Sequence, residues 1–281
     1  MNTTRTFVDA VGIEHAPADQ SARIVSLVPS ITELLFALGL GPQVVGRTTF
    51  CIHPANEVAK IQRVGGTKKV HMDRLRRTSP THVIVNIDEN SKSDVEEIAT
   101  FVPNIIVTHP LAPSDNIGLY RLLGSIFNRS PISQLLCAEF EKTLSATIKL
   151  GADLPRLSVL YLIWYQPWMT ISPPTYIAEL LALVNWITPD HQTEQRYPAL
   201  SASSFAVDKA DLVLFSSEPF PFKDKHIDAF AKEFSVKRNR LVAIDGEMTS
   251  WYGSRAIKGL CYLYDLAKHI SERQRSLSCR T

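Results

Sequence analysis

The sequence predicts an α/β protein of two Rossmann-like lobes with parallel sheets, joined by one long rigid backbone helix, with a ligand cleft between the lobes. Strands and helices alternate along the chain, and parallel strands need helical crossover connections. The alternation occurs twice, on either side of one long helix-compatible run. These observations place the N-terminal lobe at 1–130, the linking helix at 131–150 and the C-terminal lobe at 151–281.

The N-terminal half opens its pattern with the apolar strand RIVSLV at 23–28. Pro29 and Ser30 follow, and both residue types favour a helix start. The segment ITELLFALGL then has apolar residues at helical spacing, and Gly39 ends the helix. Two further strands are predicted within PTHVIVNIDEN and NIIVTHP.

The C-terminal half repeats this order. The strand LSVLYLIW is followed by a polar and aromatic connection and by the helix TYIAELLALVNW, which we expect to end at Trp186 in the core. Two further strands are predicted within KADLVLFSSEP and NRLVAIDGE.

The run between the halves, PISQLLCAEFEKTLSATIKLGADLP, predicts one helix. Pro131 suits a first helical position and Gly151 suits a helix end, so residues 132–149 should form a continuous helix. A single helix is a stiffer spacer than a Gly/Ser linker, and it would hold a cleft of nearly fixed width.

Composition indicates an ordinary globular protein. The 281 residues are 45% hydrophobic and 21% charged, with a net charge of +2 that is too weak to indicate nucleic-acid binding. The four cysteines have no CxxC spacing. No apolar run approaches a membrane span, so membrane insertion is not expected. The N-terminus has no apolar signal region, which predicts a cytoplasmic chain, or a periplasmic one if a signal peptide has been removed.

Polar side chains follow several buried strands. Because ligands of parallel α/β sheets bind beyond the carboxyl ends of strands, these side chains are expected to meet a ligand. The alternative for Glu218 and Asp245 is that they cap neighbouring helix N-termini. The strand-end residues are Asn86, Asp88, Glu89 and Asn90 in the first lobe and Ser216, Ser217, Glu218, Asp245 and Glu247 in the second.

Aromatic residues accompany these strand ends. Trp251 and Tyr252 lie in a polar turn between Ser250 and Gly253, which makes them candidates for stacking on a planar ligand. The other aromatic residues of the C-terminal strand ends are Trp164, Tyr165, Trp168, Phe220 and Phe222.

Two possible metal ligands and three cationic residues are the remaining candidates for contact with a ligand. Cys51 and His53 could bind a soft metal, but a buried cysteine with a capping histidine is the alternative, since two ligands do not make a site. Lys68, Arg47 and Arg255 could meet an anionic group of the ligand or neutralise the strand-end acids.

Several segments resemble a known family. TFVDAVGIEHAPADQSARIVSLVPSITELLFALGLGPQVVGRT, HPANEVAKIQRVGG, MDRLRRTSPTHVIV and KADLVLFSSEP together resemble helical-backbone metal receptors, the bacterial binding proteins for vitamin B12 and iron-siderophore complexes. The segments FCIHP, VGGTK, SSEPFPFKDKHI and DGEMTSWYGSR resemble a subset without signal peptides. The corrin-sandwiching aromatics of the B12 receptors are replaced by Thr67 or Lys68 and by Asn86.

The resemblance implies a substrate-binding protein with no catalytic residue and with a corrinoid or iron complex as its bound ligand rather than a resident cofactor. It also implies an ABC permease as partner if the chain is exported, with Asp73 as a docking acid of the first lobe. The alternative is a cytosolic enzyme on the same scaffold, in which Glu218, Glu89 or Asp245 act as acid and base or the strand-end carboxylates bind a metal.

Overall fold

The chain forms two compact units in a computed structural model that describes residues 7–200 and 205–278. The first unit contains the described residues up to Pro110 together with Ser114–Phe140 and Tyr252–Arg255. The second contains Leu111–Pro113, Glu141–Trp251 and the described residues from Ala256 onwards. The lobe boundaries at 130 and 151 stay a prediction, as does the cleft.

The first unit is built on a five-stranded parallel sheet with a short hairpin beside it. Its strands are β1 Phe7–Val8, β2 Glu14–His15, β3 Ile24–Ser26, β4 Val44–Arg47, β5 Gln62–Arg63, β6 His82–Asn86 and β7 Asn104–Thr108. Its helices are α1 Pro29–Ala37, α2 Ala55–Val58, α3 Met72–Arg77, α4 Lys92–Ala99 and α5 Asp115–Ile126. The strand order β5-β4-β3-β6-β7 confirms the strands predicted from RIVSLV, PTHVIVNIDEN and NIIVTHP.

The strands of this sheet are apolar on both faces because helices cover both. Every residue of β3 and β6 is buried. Alternate residues, such as Val25 with Leu27 and Val83 with Val85, pack into one core cluster with Leu75 and other apolar side chains. The opposite face is formed by the intervening residues, including Ile24 and Ile84, which are fully buried.

The second unit is also built on a five-stranded sheet. Its strands are β8 Leu157–Trp164, β9 Met169–Thr170, β10 Trp186–Ile187, β11 Leu212–Ser216 and β12 Leu241–Ile244. Its helices are α7 Tyr176–Ala182, α8 Phe205–Lys209, α9 Asp224–Glu233, α10 Gly246–Ser250 and the main part of α11, Arg255–Ser278. Four strands are parallel in the order β10-β8-β11-β12, and β9 pairs antiparallel with β8.

One predicted boundary in this unit is wrong. The helix expected to reach Trp186 ends at Ala182, and Asn185 has a positive φ of 59°. Trp186 therefore lies in β10 rather than in the helix, because the left-handed residue turns the chain back onto the sheet. The expected burial of Trp186 is confirmed, with 1% of its surface exposed.

The predicted connection between the halves is confirmed as one helix, α6, which spans Ser130–Gly151. Residues up to Phe140 belong to the first unit and residues from Glu141 to the second. In the described part of the chain, no helix combines the length and apolarity that crossing a bilayer requires.

Candidate functional site

The first sheet has a topological switch point between β3 and β6. From β3 the chain continues through β4 and β5 on one side, and β6 and β7 lie on the other. Sheets of this kind bind ligands outside the carboxyl ends of the strands at such a point. The polar residues after β6 thus lie at the place where a ligand is expected.

Two asparagines shape the loop after β6. The Asn90 carboxamide accepts from Asn86 N at 2.8 Å and donates to Leu27 O at 3.2 Å and Thr67 O at 3.0 Å. The Asn86 side-chain oxygen accepts from Asp88 N at 2.8 Å. Both asparagines are buried, and their side chains hold together the loops at the switch point. Their contact with a ligand stays a prediction.

Charged residues lie in the same loop and beside it. The Lys68 ammonium donates to Asp88 O at 2.6 Å, and the Asp88 carboxylate lies 3.5 Å from His109 Nε2. Glu89 Oε1 accepts from the Tyr252 hydroxyl at 2.7 Å. Burial, followed by the adjacent Glu89 charge, raises the pKa of Tyr252 well above its ordinary value, so Tyr252 stays a donor.

The segment Tyr252–Arg255 belongs to the first unit although it follows the second sheet in sequence. The Arg255 guanidinium pairs with both carboxylate oxygens of Glu33, at 2.8 and 3.0 Å. Gly253 N donates to Asn116 Oδ1 at 2.6 Å, with Gly253 at a φ of +85°. Arg255 is thus engaged with Glu33, and its contact with an anionic ligand group stays a prediction.

Arg47 lies inside the first unit, and its predicted contact with an anionic ligand group stays a prediction. Only 2% of its surface is exposed. Its guanidinium donates to Val58 O at 2.6 Å, Cys51 O at 3.0 Å and Thr48 O at 3.1 Å. Burial lowers the pKa of Arg47, and the three carbonyls compensate its lost hydration.

Cys51 is fully buried, as the buried-cysteine alternative predicts. Thr32 Oγ1 donates to its sulfur at 3.0 Å, and Thr48 Oγ1 lies 3.1 Å from the same atom. Burial raises the pKa of the thiol. Within residues 7–200 and 205–278, no three His, Cys, Asp or Glu side chains are placed to hold a metal ion, so Cys51 and His53 gain no third ligand there.

The switch point of the second sheet lies between β8 and β11. Aromatic rings from the loops after both strands meet there: the Phe220 centroid is 5.6 Å from that of Trp164 and 5.9 Å from that of Tyr165. Trp164 is 41% exposed, whereas Trp168 is buried and stacks on Phe222 with an interplanar angle of 9°. The cluster thus extends from the core to an exposed ring face.

The carboxylates of the second unit have different roles. Trp251 Nε1 donates to Glu218 Oε2 at 2.7 Å, whereas Asp245 caps α10 by accepting from Met248 N at 3.2 Å. The capping alternative therefore holds for Asp245 and not for Glu218. Trp251 and Tyr252 are each 6% exposed, and their stacking on a planar ligand stays a prediction.

The end of β11 packs closely against the start of α10. Ser216 is fully buried and accepts from the Tyr161 hydroxyl at 2.9 Å, while Ser217 Oγ accepts from Gly246 N at 2.9 Å. Burial raises the pKa of Tyr161 to about 12. A Cβ on Gly246 would lie 2.7 Å from Glu218 N, so only glycine fits there. Glu247 lies half-buried within α10.

The structure thus groups the predicted residues at two sheet edges. Lys68, Asp88 and Glu89 lie at the first with Tyr252, and Glu218 lies at the second with Trp251. The sequence reasoning missed two exposed apolar residues at the first edge, Phe50 at 59% and Ile87 at 44%. The sequence signal for both is an apolar residue within three positions of the end of a strand.

Two α/β units with side chains gathered at the switch point of each sheet define a class of ligand-binding proteins. Residues 24–243 match the periplasmic binding protein family, and the chain belongs to that family. The match begins at the first residue of β3 and ends within β12, so it includes both sheets.

Two curated relatives are similar over part of their length. The vitamin B12-binding protein of Pectobacterium carotovorum is 21% identical over 163 residues, 57% of this chain and 59% of that protein. An uncharacterized ABC transporter substrate-binding lipoprotein of Bacillus subtilis, YvrC, is 36% identical over 88 residues, 31% of this chain and 27% of that protein. The chain therefore spans less than two thirds of these relatives.

A solved structure covers more of the chain. The periplasmic heme-binding protein RhuT of Roseiflexus, in its apo form, superposes with a TM-score of 0.75 at 22% identity. The superposition covers 88% of this chain and 99% of that protein. At this identity the likeness supports the fold described above.

Proposed function

We propose that the chain is a substrate-binding protein that holds one small polar or metal-complexed molecule, of the cobalamin-like or iron-chelate-like kind. The observation that carries the proposal is the family match, which includes both sheets. The vitamin B12-binding relative and the structurally similar heme-binding protein support a conjugated metal complex as the ligand class.

Recognition in this proposal is non-covalent. The exposed ring of Trp164 offers a face for stacking, backed by Phe220. At the first edge, Lys68 is an exposed cation, whereas Arg47 and Arg255 are engaged within the protein. The remaining proposed contacts are Asp88 and Glu89 at the first edge and Tyr165 and Glu218 at the second.

The partner in this proposal is an ABC permease, as the name of the Bacillus subtilis relative supports. A permease receives its substrate from binding proteins outside the cytoplasm, so the compartment of the chain decides whether this partner is accessible. Fractionation of the native producing cell tests this point. A chain confined to the cytosol would contradict the permease partnership and leave ligand binding itself intact.

The enzyme alternative rested on carboxylates that could act as acid and base. Glu89 accepts from Tyr252, Glu218 accepts from Trp251, and Asp245 caps a helix. Each of these carboxylates thus has a hydrogen-bond donor within the protein, and the family is one of binding proteins. Substrate binding is therefore the better supported function.

Titration with cyanocobalamin and with hemin tests the proposal. We expect at least one of them to quench the tryptophan fluorescence of the protein saturably at one equivalent. Trp164→Ala should weaken that binding by about 0.5–1.5 kcal/mol, the scale of an aromatic contact. Leu135→Ala is the matched control, because Leu135 is 72% exposed on α6. The proposed ligand class is wrong if neither probe binds.

A further inference from the structure

The loop after β4 holds two apolar side chains in solvent. Phe50 is 59% exposed and Ile52 is 46% exposed, although Cys51 between them is fully buried. A phenylalanine that is mostly exposed gains less from the hydrophobic effect than a buried one does. A loop that nevertheless keeps it outward must be fixed by other interactions.

Arg47 supplies those interactions. Its buried guanidinium binds three carbonyls, two within the loop, at Thr48 and Cys51, and one at Val58, the last residue of α2. Thr49 adds two bonds to Gly65 O, from its amide at 2.8 Å and its hydroxyl at 2.9 Å. The loop backbone is therefore held from both sides of Phe50.

Phe50 lies on the same surface as the charged residues of the first edge. A Cβ on Gly66 would be 3.5 Å from Phe50 Cε2, so the ring lies beside the Gly65–Gly66 turn. That turn continues into Lys68, whose ammonium reaches Asp88 O at 2.6 Å. The exposed Ile87 is the residue directly before Asp88. Apolar and charged contacts are thus presented side by side.

We propose that Phe50 is an apolar contact residue for the ligand and that Arg47 is the positioning residue that fixes its loop. This inference rests on the proposed function and adds a residue pair to the first edge. Arg47 acts through the backbone, because its guanidinium is consumed by carbonyl acceptors and its charge is enclosed. Lysine cannot replace it, since one ammonium cannot span three carbonyls in a planar fork.

Three variants test the proposal: Phe50→Ser, Arg47→Lys and Arg47→Met. The matched controls are Leu135→Ser, another exposed apolar residue, and Arg63→Met, which removes an exposed cation paired in register with Arg47. Binding of hemin and of cyanocobalamin is measured for each variant. Hydrogen exchange of the amides of residues 48–58 is measured without any probe.

We expect Phe50→Ser to weaken binding of the probe about tenfold and to leave amide exchange unchanged. Both Arg47 variants should weaken probe binding by the same factor. They should also raise the amide exchange rate in residues 48–58 at least tenfold, whereas the exchange rate of amides in β6 should not change. The controls should change neither readout. A general folding defect would instead raise exchange throughout the first unit, and that result would contradict a positioning role for Arg47.

The outcomes separate this inference from the proposed function. If the wild type binds a probe and Phe50→Ser binds it equally well, Phe50 is not a contact residue and the inference alone fails. If the wild type binds neither probe, the ligand class of the proposed function fails, and the contact assigned to Phe50 fails with it. If exchange in residues 48–58 is the same in Arg47→Met as in the wild type, Arg47 does not fix the loop.

Discussion

The individual acids at the strand ends are held by donors from other parts of the same unit. Glu89 accepts from Tyr252, and Glu218 accepts from Trp251, each at 2.7 Å. A carboxylate that follows a buried strand is stabilised when a buried O–H or N–H donates to it, because such a bond is charge-assisted. This explains how the apolar strand β11 can end in the sequence SSE.

Replacing Trp251 by phenylalanine should lower stability. The change keeps an aromatic ring in a site that is 6% exposed and removes the indole donor to Glu218. Loss of a hydrogen bond to a charged group costs about 1.5–3 kcal/mol. Urea unfolding of Trp251→Phe, of Glu218→Gln and of the double variant measures the loss in the free energy of unfolding for each. Strictly additive effects of the two single changes would contradict a direct interaction.

His82 should make stability depend on pH. It is buried at the start of β6, with Phe127 edge-on at 5.2 Å, the Thr81 hydroxyl 2.8 Å from Nδ1, and His15 nearby, itself paired with Asp9. Burial, then the His15 charge, lowers the pKa of His82 to about 4.

The unfolded chain therefore binds a proton at His82 more readily than the folded chain between pH 6.5 and 4. The contribution of His82 to the free energy of unfolding is fully present above pH 6.5 and is lost as the pH falls through this range. At pH 5 the loss is about 2 kcal/mol. Urea unfolding at pH 7.5 and pH 5 should show this loss in the wild type and a smaller loss in His82→Phe. Equal losses in both proteins would show that His82 does not cause it.

At the level of elements, close backbone approach decides where helices end. Gly151 is the last residue of α6, and a Cβ there would lie 3.0 Å from Leu183 C and 3.1 Å from Val184 Cα. Backbone atoms cannot move aside as a flexible side chain can. The glycine at the end of α6 is thus required by packing in the second unit.

Two glycine substitutions should have opposite effects. Gly151→Ala meets the backbone of Leu183 and should destabilise the second unit by about 1–3 kcal/mol. Gly118→Ala, at an exposed position near the start of α5, has no heavy atom within 4 Å of its new Cβ and should stabilise by up to about 1 kcal/mol. The thermal unfolding midpoints of the two variants, compared with that of the wild type, test both predicted changes in stability. A stabilised Gly151→Ala variant would contradict the packing of α6 described here.

The order of elements could be predicted because buried parallel strands and amphipathic helices have distinct apolar patterns. RIVSLV, PTHVIVNIDEN and KADLVLFSSEP each contain the strand expected from them. The end of α7 could not be predicted, because TYIAELLALVNW is compatible with a helix throughout and the positive φ of Asn185 arises from its tertiary setting.

The candidate site was only partly predictable, for a physical reason. Sequence pattern places Arg47 and Arg255 near strand ends, but it does not reveal their partners. Arg255 pairs with Glu33, 222 residues earlier in the chain, and Arg47 binds backbone carbonyls that any sequence would supply. The exposure of Phe50 could not be predicted either, because the sequence alone does not show whether an apolar residue in a loop is buried.

For the molecule as a whole, we expect that the chain binds one small molecule without changing it. Native mass spectrometry of the protein purified from its own host, without denaturation, tests this most directly. We predict one additional mass per chain that is lost on denaturation and that belongs to an intact conjugated or metal-complexed compound. A ligand recovered in chemically altered form after incubation, or a bare chain under every growth condition, would contradict the account.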